Sequence, residues 1–129
     1  MATQDHLELF ERLFQQTREG KLNWKDTVDK GTYVVSFKDY AVEILRADSQ
    51  EGPDSAVVLG LRNAEGEIVE RVDDFEVAQL FPNDASRRSF FQKSEQLYEL
   101  ARRNALGADK ALNSILNELR TGNKDDIPF

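Results

Sequence analysis

Apolar residues recur every three or four positions in the first part of the chain. The spacing is typical of one face of an amphipathic helix, and we predict a first helix over about residues 4–19. Thr3 or Asp5 can cap its start, and Gly20 can take the left-handed conformation that favours a helix end. Trp24 is the only tryptophan, and we expect it to be buried beneath a sheet. The apolar positions of the helix are Leu7, Phe10, Leu13 and Phe14.

The period of the pattern changes to two from Thr32 onward, which is typical of strands with one buried face. The segment 49–54 is rich in turn residues and contains Pro53, which cannot serve a central strand, so we expect it to separate two hairpins. The pattern therefore predicts an antiparallel meander of four or five strands. The predicted strands are residues 33–38, 40–45, 56–62 and 67–72, with residues 24–27 as a candidate fifth.

Helical periodicity returns in the last third of the chain. We predict a short helical turn after Asp73, packed by Phe75 and Phe81, and then a long helix that begins at Asp84 or Ser86 and continues to Arg120. Its apolar stripe consists of Phe90, Ser94, Leu97, Ala101, Ala105, Ala108, Leu112, Ile115 and Leu119. Beside the stripe, we expect Arg103 to pair with Glu99, which lies one helical turn before it.

Gly107 interrupts the long helix, because glycine costs about 1 kcal/mol relative to alanine in a helix interior. We favour one helix bent near Gly107 over two separate helices. A helix of about 34 residues would span about 50 Å, whereas six-residue strands reach only about 20 Å. The part beyond Gly107 should therefore overhang the sheet and expose its apolar stripe.

These elements predict an α+β fold with an N-terminal helix, an antiparallel meander and a long C-terminal helix. The 129 residues are enough for one domain with a real core, which we assign to residues 1–121, and residues 122–129 read as a flexible polar tail. The chain has no cysteine, which removes disulfides and thiolate chemistry. We find neither a basic, apolar leader nor a run long enough to span a membrane, so we expect a cytoplasmic protein without a membrane partner.

The net charge of −7 is unevenly distributed. Residues 40–85 contain three basic and eleven acidic side chains, whereas residues 86–129 contain eight basic and six acidic ones. An acidic total disfavours nucleic acid as a partner. The acidic middle reads either as the solvated face of a sheet or as a surface that docks on a basic protein.

Residues suited to catalysis are sparse. His6 is the only histidine, and its place near the chain start favours a capping or surface role. The carboxylate pairs, such as Asp73 with Asp74, occur at turns where acidic residues are common. No phosphate-binding loop or metal-ligand spacing is present. We therefore expect neither enzymatic activity, nor a metal, nor a cofactor.

The exposed stripe predicts a non-enzymatic interaction module that self-associates or docks on a protein partner. The predicted interface residues are Ala105, Ala108, Leu112, Ile115 and Leu119.

A second hypothesis is a small-ligand or anion site on the concave face of the sheet. Arg87 and Arg88 lie at the start of the predicted long helix, where positive charge opposes the helix dipole. They therefore call for a bound anion or for pairing with Asp73, Asp74 or Asp84. The candidate ligand residues are Arg87, Arg88, Tyr33 and Tyr40. A third hypothesis is an acidic inhibitor or immunity-type protein that acts against a basic target.

The segment from Leu97 to Leu112 resembles the C-terminal helix of short uncharacterised bacterial open reading frames. The first helix ending in Gly-Lys-Leu-Asn-Trp and the strand meander after it are similar too. The resemblance implies a bacterial or phage-related cytoplasmic domain. It implies no activity and assigns no functional residue.

Overall fold

The computed structural model describes residues 2–48 and 55–121. The predicted loop 49–54 and the predicted tail 122–129 lie outside these residues. The elements in chain order are α1 (Gln4–Arg18), β1 (Lys25–Asp26), β2 (Tyr33–Ser36), β3 (Ala41–Asp48), β4 (Ser55–Arg62), β5 (Ile68–Asp73), α2 (Asp74–Ala78), α3 (Asp84–Leu106) and α4 (Ala108–Arg120). The predicted α+β class is confirmed, and the candidate fifth strand is present as β1.

The five strands form one antiparallel sheet in the order β1-β2-β3-β4-β5. Neighbours in sequence are therefore neighbours in space, as expected for a meander. Ile44 on β3 lies opposite Leu59 on β4, and Leu59 lies opposite Val72 on β5. Directly opposed residues share one face of a sheet, and these three are almost completely buried. This face carries the hydrophobic core.

Helices α1 and α3 cover the core face side by side. Phe10 on α1 packs edge-on against Phe90 on α3, with 5.3 Å between the ring centroids. Trp24 is buried as predicted, and its indole N–H donates to the Thr17 hydroxyl over 3.0 Å. The residues between α1 and β1 are thereby fixed to the helix layer.

The ends of α1 are set by local backbone chemistry. The His6 Nδ1 accepts a hydrogen bond from the Thr3 N–H over 2.9 Å, at the start of the helix. Thr3, rather than Asp5, is the N-cap residue, and the predicted capping role of His6 is confirmed. Gly20 follows the helix with φ +74°, which is the left-handed conformation predicted for it.

Helix α3 crosses the sheet from the β5 side to the β1 side. Four contacts follow its length in order: Ser94 with Asp74, Glu95 with Arg46, Tyr98 with Gly31 and Asn104 with Trp24. The first three partners lie beside β5, on β3 and before β2, and Trp24 precedes the edge strand β1. Asn104 is therefore placed at the edge of the sheet.

Candidate interaction surface

Gly107 divides the predicted long helix into two. Its φ of +70° and ψ of 32° lie in the left-handed region, which glycine adopts without the steric cost that a Cβ imposes. Helix α4 begins at the next residue, and the Ala111 N–H donates to the Gly107 carbonyl over 2.9 Å. The interruption is thus a change of backbone conformation at one residue rather than a smooth bend.

An ion pair spans the interruption. An Arg103 Nη atom lies 2.5 Å from an Asp109 carboxylate oxygen, and Arg102, rather than Arg103, pairs with Glu99 at 2.9 Å. The predicted pair between Glu99 and Arg103 is therefore wrong, because Arg103 finds its partner on the other side of Gly107. Both pairs are largely exposed, so each contributes little to stability.

Helix α4 has no buried side chain among the described residues. Leu112, Ile115 and Leu119 are 51%, 54% and 55% exposed, although they fall on one face of the helix. The matching face of α3 behaves differently, since Leu97 and Ala101 are completely buried. The prediction that the stripe leaves the core beyond Gly107 therefore agrees with the exposures. We call Ala108, Leu112, Ile115 and Leu119 the α4 stripe.

Ala105, the first of the predicted interface residues, lies on α3 rather than on α4. Ala105 is half-buried and packs against the hydrophobic core as part of α3. Ala108 is half-buried at the start of α4. Leu106 was not predicted, yet it is 48% exposed at the end of α3. The sequence analysis missed Leu106 because a continuous helix would place it off the apolar stripe. Its position as an apolar residue directly before Gly107 was the one signal that could have identified it.

The four candidate ligand residues do not form a common site. Tyr33 is buried and packs against Tyr98, with 5.8 Å between the ring centroids. Tyr40 is exposed in the turn after β2, at the opposite end of that strand from Tyr33. Arg87 and Arg88 are the fourth and fifth residues of α3. The predicted grouping is wrong because Tyr33 faces the core rather than an open surface.

Arg87 has a structural explanation at its unfavourable position. Its Nε donates to the Ala78 carbonyl at the end of α2 over 3.2 Å, and its Nη1 lies 3.9 Å from Asp84. The predicted pairing with Asp84 is thus present, and the guanidinium also satisfies a helix-end carbonyl. Arg88 is exposed.

The sheet face opposite the helices carries an ionic cluster. Glu43 is almost fully buried there, and its carboxylate lies 2.9 Å from Arg62 Nε and 3.7 Å from Arg71 Nη2. Gly60 makes room for it, because a Cβ at Gly60 would come within 3.0 Å of the Glu43 side chain. The acid is paired within the fold, so it is not a free group for catalysis.

Asp74 is an acid buried in the interior of the fold. It is 2% exposed, and it accepts hydrogen bonds from the Ser94 hydroxyl at 2.6 Å and from the Val57 N–H at 3.2 Å. Burial raises the pKa of Asp74 from 3.8 to about 6, although the hydrogen bond from Ser94 acts in the opposite direction. The carboxyl faces the interior and connects β4, α2 and α3, which indicates a structural role.

Neither a metal-ligand cluster nor a membrane-spanning helix occurs in the part of the chain that the structure describes. No group of three or more potential metal ligands occurs within residues 2–48 and 55–121. In the same residues, no helix combines the length and the apolar character needed to cross a bilayer.

No family model, curated protein or solved structure matches this chain. The resemblance to short bacterial open reading frames stays a prediction, and so does the acidic inhibitor hypothesis.

Proposed function

We propose that this protein is a non-enzymatic protein-interaction module that binds through α4. The observation that carries the proposal is the contrast between two consecutive helices. Helix α3 buries its apolar face in the core, whereas the described residues of α4 leave the continuation of that face half-exposed. Exposed apolar stripes on a soluble domain mark interaction sites more often than scattered single residues do.

The energetics of α4 support the same proposal. Helices shorter than about 12–15 residues are marginal in water unless an apolar face is packed, and α4 has 13 residues. Completing the burial of a half-exposed leucine or isoleucine contributes about 1 kcal/mol. Covering Leu112, Ile115 and Leu119 would therefore stabilise α4 by about 3 kcal/mol. A partner that covers the stripe both binds the helix and completes its folding.

A cytoplasmic setting in a bacterial or phage-infected cell is part of the proposal. The absence of cysteine fits a reducing compartment, and the resemblance noted from the sequence points to the same class of source. In this setting α4 supplies apolar contact and orientation, and no reacting group is assigned to it.

Site-specific photo-crosslinking tests the proposal in the cells that naturally produce the protein. A photoreactive amino acid at Ile115 should give a discrete adduct with a second polypeptide, whether another protein or a second copy. The same group at Asn117 is the control, because two residues along a helix point to opposite sides. Equal labelling at both positions would contradict the proposal.

Substitution of the stripe provides the matched test. With the photoreactive group at Ile115, the change Leu112→Asp/Leu119→Asp should abolish the adduct, because it places two carboxylates in the apolar contact. The control Asn113→Asp/Asn117→Asp adds the same charge on the far side of α4 and should leave the adduct intact. Loss of the adduct in both variants would indicate that the added negative charge prevents binding wherever it lies on α4, and would contradict a role of the apolar stripe.

A further inference from the structure

The α4 stripe has the spacing of a two-helix seam. Its members are separated by four, three and four residues, which matches the alternating a and d positions of a heptad. A seam of this kind buries its residues when a second helix lies alongside at about 8–10 Å. Four positions over 13 residues give two short heptads, enough for a contact but too little for a long coiled coil.

The order of residues in the stripe favours antiparallel over parallel pairing with an identical helix. In the antiparallel arrangement Ala108 lies beside Leu119 of the second copy, and Leu112 lies beside Ile115 of the second copy. Each layer then combines residues of different shape, which allows them to interdigitate. In the parallel arrangement Ala108 would face Ala108 and leave a gap, while Leu119 would face Leu119.

The flanks of the seam are compatible with this arrangement. Antiparallel pairing places Glu118 beside Ala111 of the second copy and Asp109 beside Leu116 of the second copy. Neither carboxylate faces its own counterpart, so like charges do not meet across the seam. Asp109 also already pairs with Arg103 of its own chain. The helix dipoles are opposed in this arrangement, which adds a favourable contribution.

The charge distribution explains why two acidic molecules can meet at α4. Residues 1–107 contain 14 basic and 20 acidic side chains, a net charge of −6, whereas residues 108–120 contain two of each. The helix is thus an electrically neutral part of an acidic chain. Antiparallel pairing holds the two bodies at opposite ends of a helix about 20 Å long, which exceeds the Debye length of about 8 Å at physiological salt. Parallel pairing would bring the two bodies together.

We propose that α4 pairs with α4 of a second copy in an antiparallel arrangement about a two-fold axis. This inference rests on the proposed use of α4 as an interface and names its occupant. A contact along one helix of about 20 Å stays below the roughly 1,200 Å² that separates weak from standard interfaces. The dimer should therefore be weak and should depend on protein concentration.

Sedimentation velocity of the purified full chain tests the occupant. The wild-type sedimentation coefficient should increase with concentration across about 10 µM to 1 mM, the range expected for a weak contact. The change Leu112→Asp/Leu119→Asp should weaken association at least about tenfold, which corresponds to about 1.4 kcal/mol. The far-side change Asn113→Asp/Asn117→Asp should weaken it much less. A wild-type chain that stays monomeric throughout this range would overturn the inference.

Cysteine pairing tests the orientation, because the chain has no cysteine of its own. The variants Ala108→Cys and Leu119→Cys, mixed under reversible oxidation, should form the mixed disulfide in preference to either homodisulfide. Their α4 positions lie outside the core, so both variants should fold. Preferential 108–108 and 119–119 disulfides would indicate a parallel pair and overturn the antiparallel arrangement.

The inference and the proposed function fail separately. If the purified chain stays monomeric while the group at Ile115 labels a different protein in cells, self-pairing is wrong and the proposed function stands. If the purified chain stays monomeric and cells give no adduct from Ile115 above the Asn117 control, both are wrong.

Discussion

Replacing Asp74 by asparagine should change how the stability of the protein depends on pH. The side chain is buried, and its carboxylate accepts hydrogen bonds from Ser94 and from Val57 just beyond the last β4–β5 pair. Asparagine has nearly the same shape, can accept from the Val57 N–H through its carbonyl oxygen, and cannot ionise. The substitution therefore removes the proton equilibrium while retaining the packing.

The sign of the effect follows from the direction of the pKa shift. Burial raises the folded-state pKa of Asp74 from 3.8 to about 6, so the folded protein holds this proton more tightly than the unfolded chain does. The contribution of Asp74 to stability is fully present below about pH 4 and is lost as the pH rises through about 6. A difference of about two pKa units corresponds to about 3 kcal/mol between these limits.

Urea unfolding of wild type and Asp74→Asn at a series of pH values from about 4 to 8 measures this contribution. The two proteins should have similar free energies of unfolding near pH 4. Asp74→Asn should become the more stable by up to about 3 kcal/mol near pH 8. Other titrating groups are common to both proteins and cancel in the difference.

Asp39→Asn is the matched control, because Asp39 is an exposed aspartate in the turn between β2 and β3. It shows how much of any difference from wild type comes from the change of aspartate to asparagine itself. A pH-independent difference for Asp74→Asn would refute the raised pKa.

Thr17→Val should destabilise the fold by about 1–3 kcal/mol, since it leaves the buried Trp24 indole N–H without its acceptor; urea unfolding followed by tryptophan fluorescence measures this, and an unchanged midpoint would contradict it. Gly60→Ala should cost about 1–3 kcal/mol because the new Cβ displaces Glu43 from its arginine partners; thermal unfolding should show a lower midpoint, and an unchanged midpoint would contradict this reasoning. Gly107→Ala should either cost about 1–2 kcal/mol for a left-handed alanine or join α3 and α4 into one helix. Far-UV circular dichroism distinguishes the two results, because only the joined helix gives a gain in helicity. A variant with unchanged stability and unchanged helicity would contradict the left-handed conformation assigned to Gly107.

The architecture was largely readable from the sequence because its signals are local. Wherever one face is buried, a period of 3.6 residues indicates a helix and a period of two residues indicates a strand. The predicted first helix and meander correspond closely to α1 and to β2–β5. Gly20 and Trp24 were also placed correctly, since a left-handed helix end and a buried indole follow from the chemistry of one residue.

Side-chain partners were less predictable, because they depend on which elements meet in space. The sequence suggested Glu99 as the partner of Arg103, but the interruption at Gly107 brings Asp109 closer. Tyr33 was considered a ligand residue, yet the register of β2 with β3 turns it toward the core. The buried acids Asp74 and Glu43 had no distinguishing signal, because their burial is created by distant segments.

The sequence by itself determined that an apolar stripe runs along the C-terminal helical segment and that the segment is longer than the sheet can cover. Only the tertiary structure decided where the covered part ends. Helix α3 reaches the edge of the sheet near Asn104, and the left-handed Gly107 starts a new helix beyond it. Periodicity reports that a face is apolar, whereas burial depends on what lies opposite that face, and that is a property of the folded molecule.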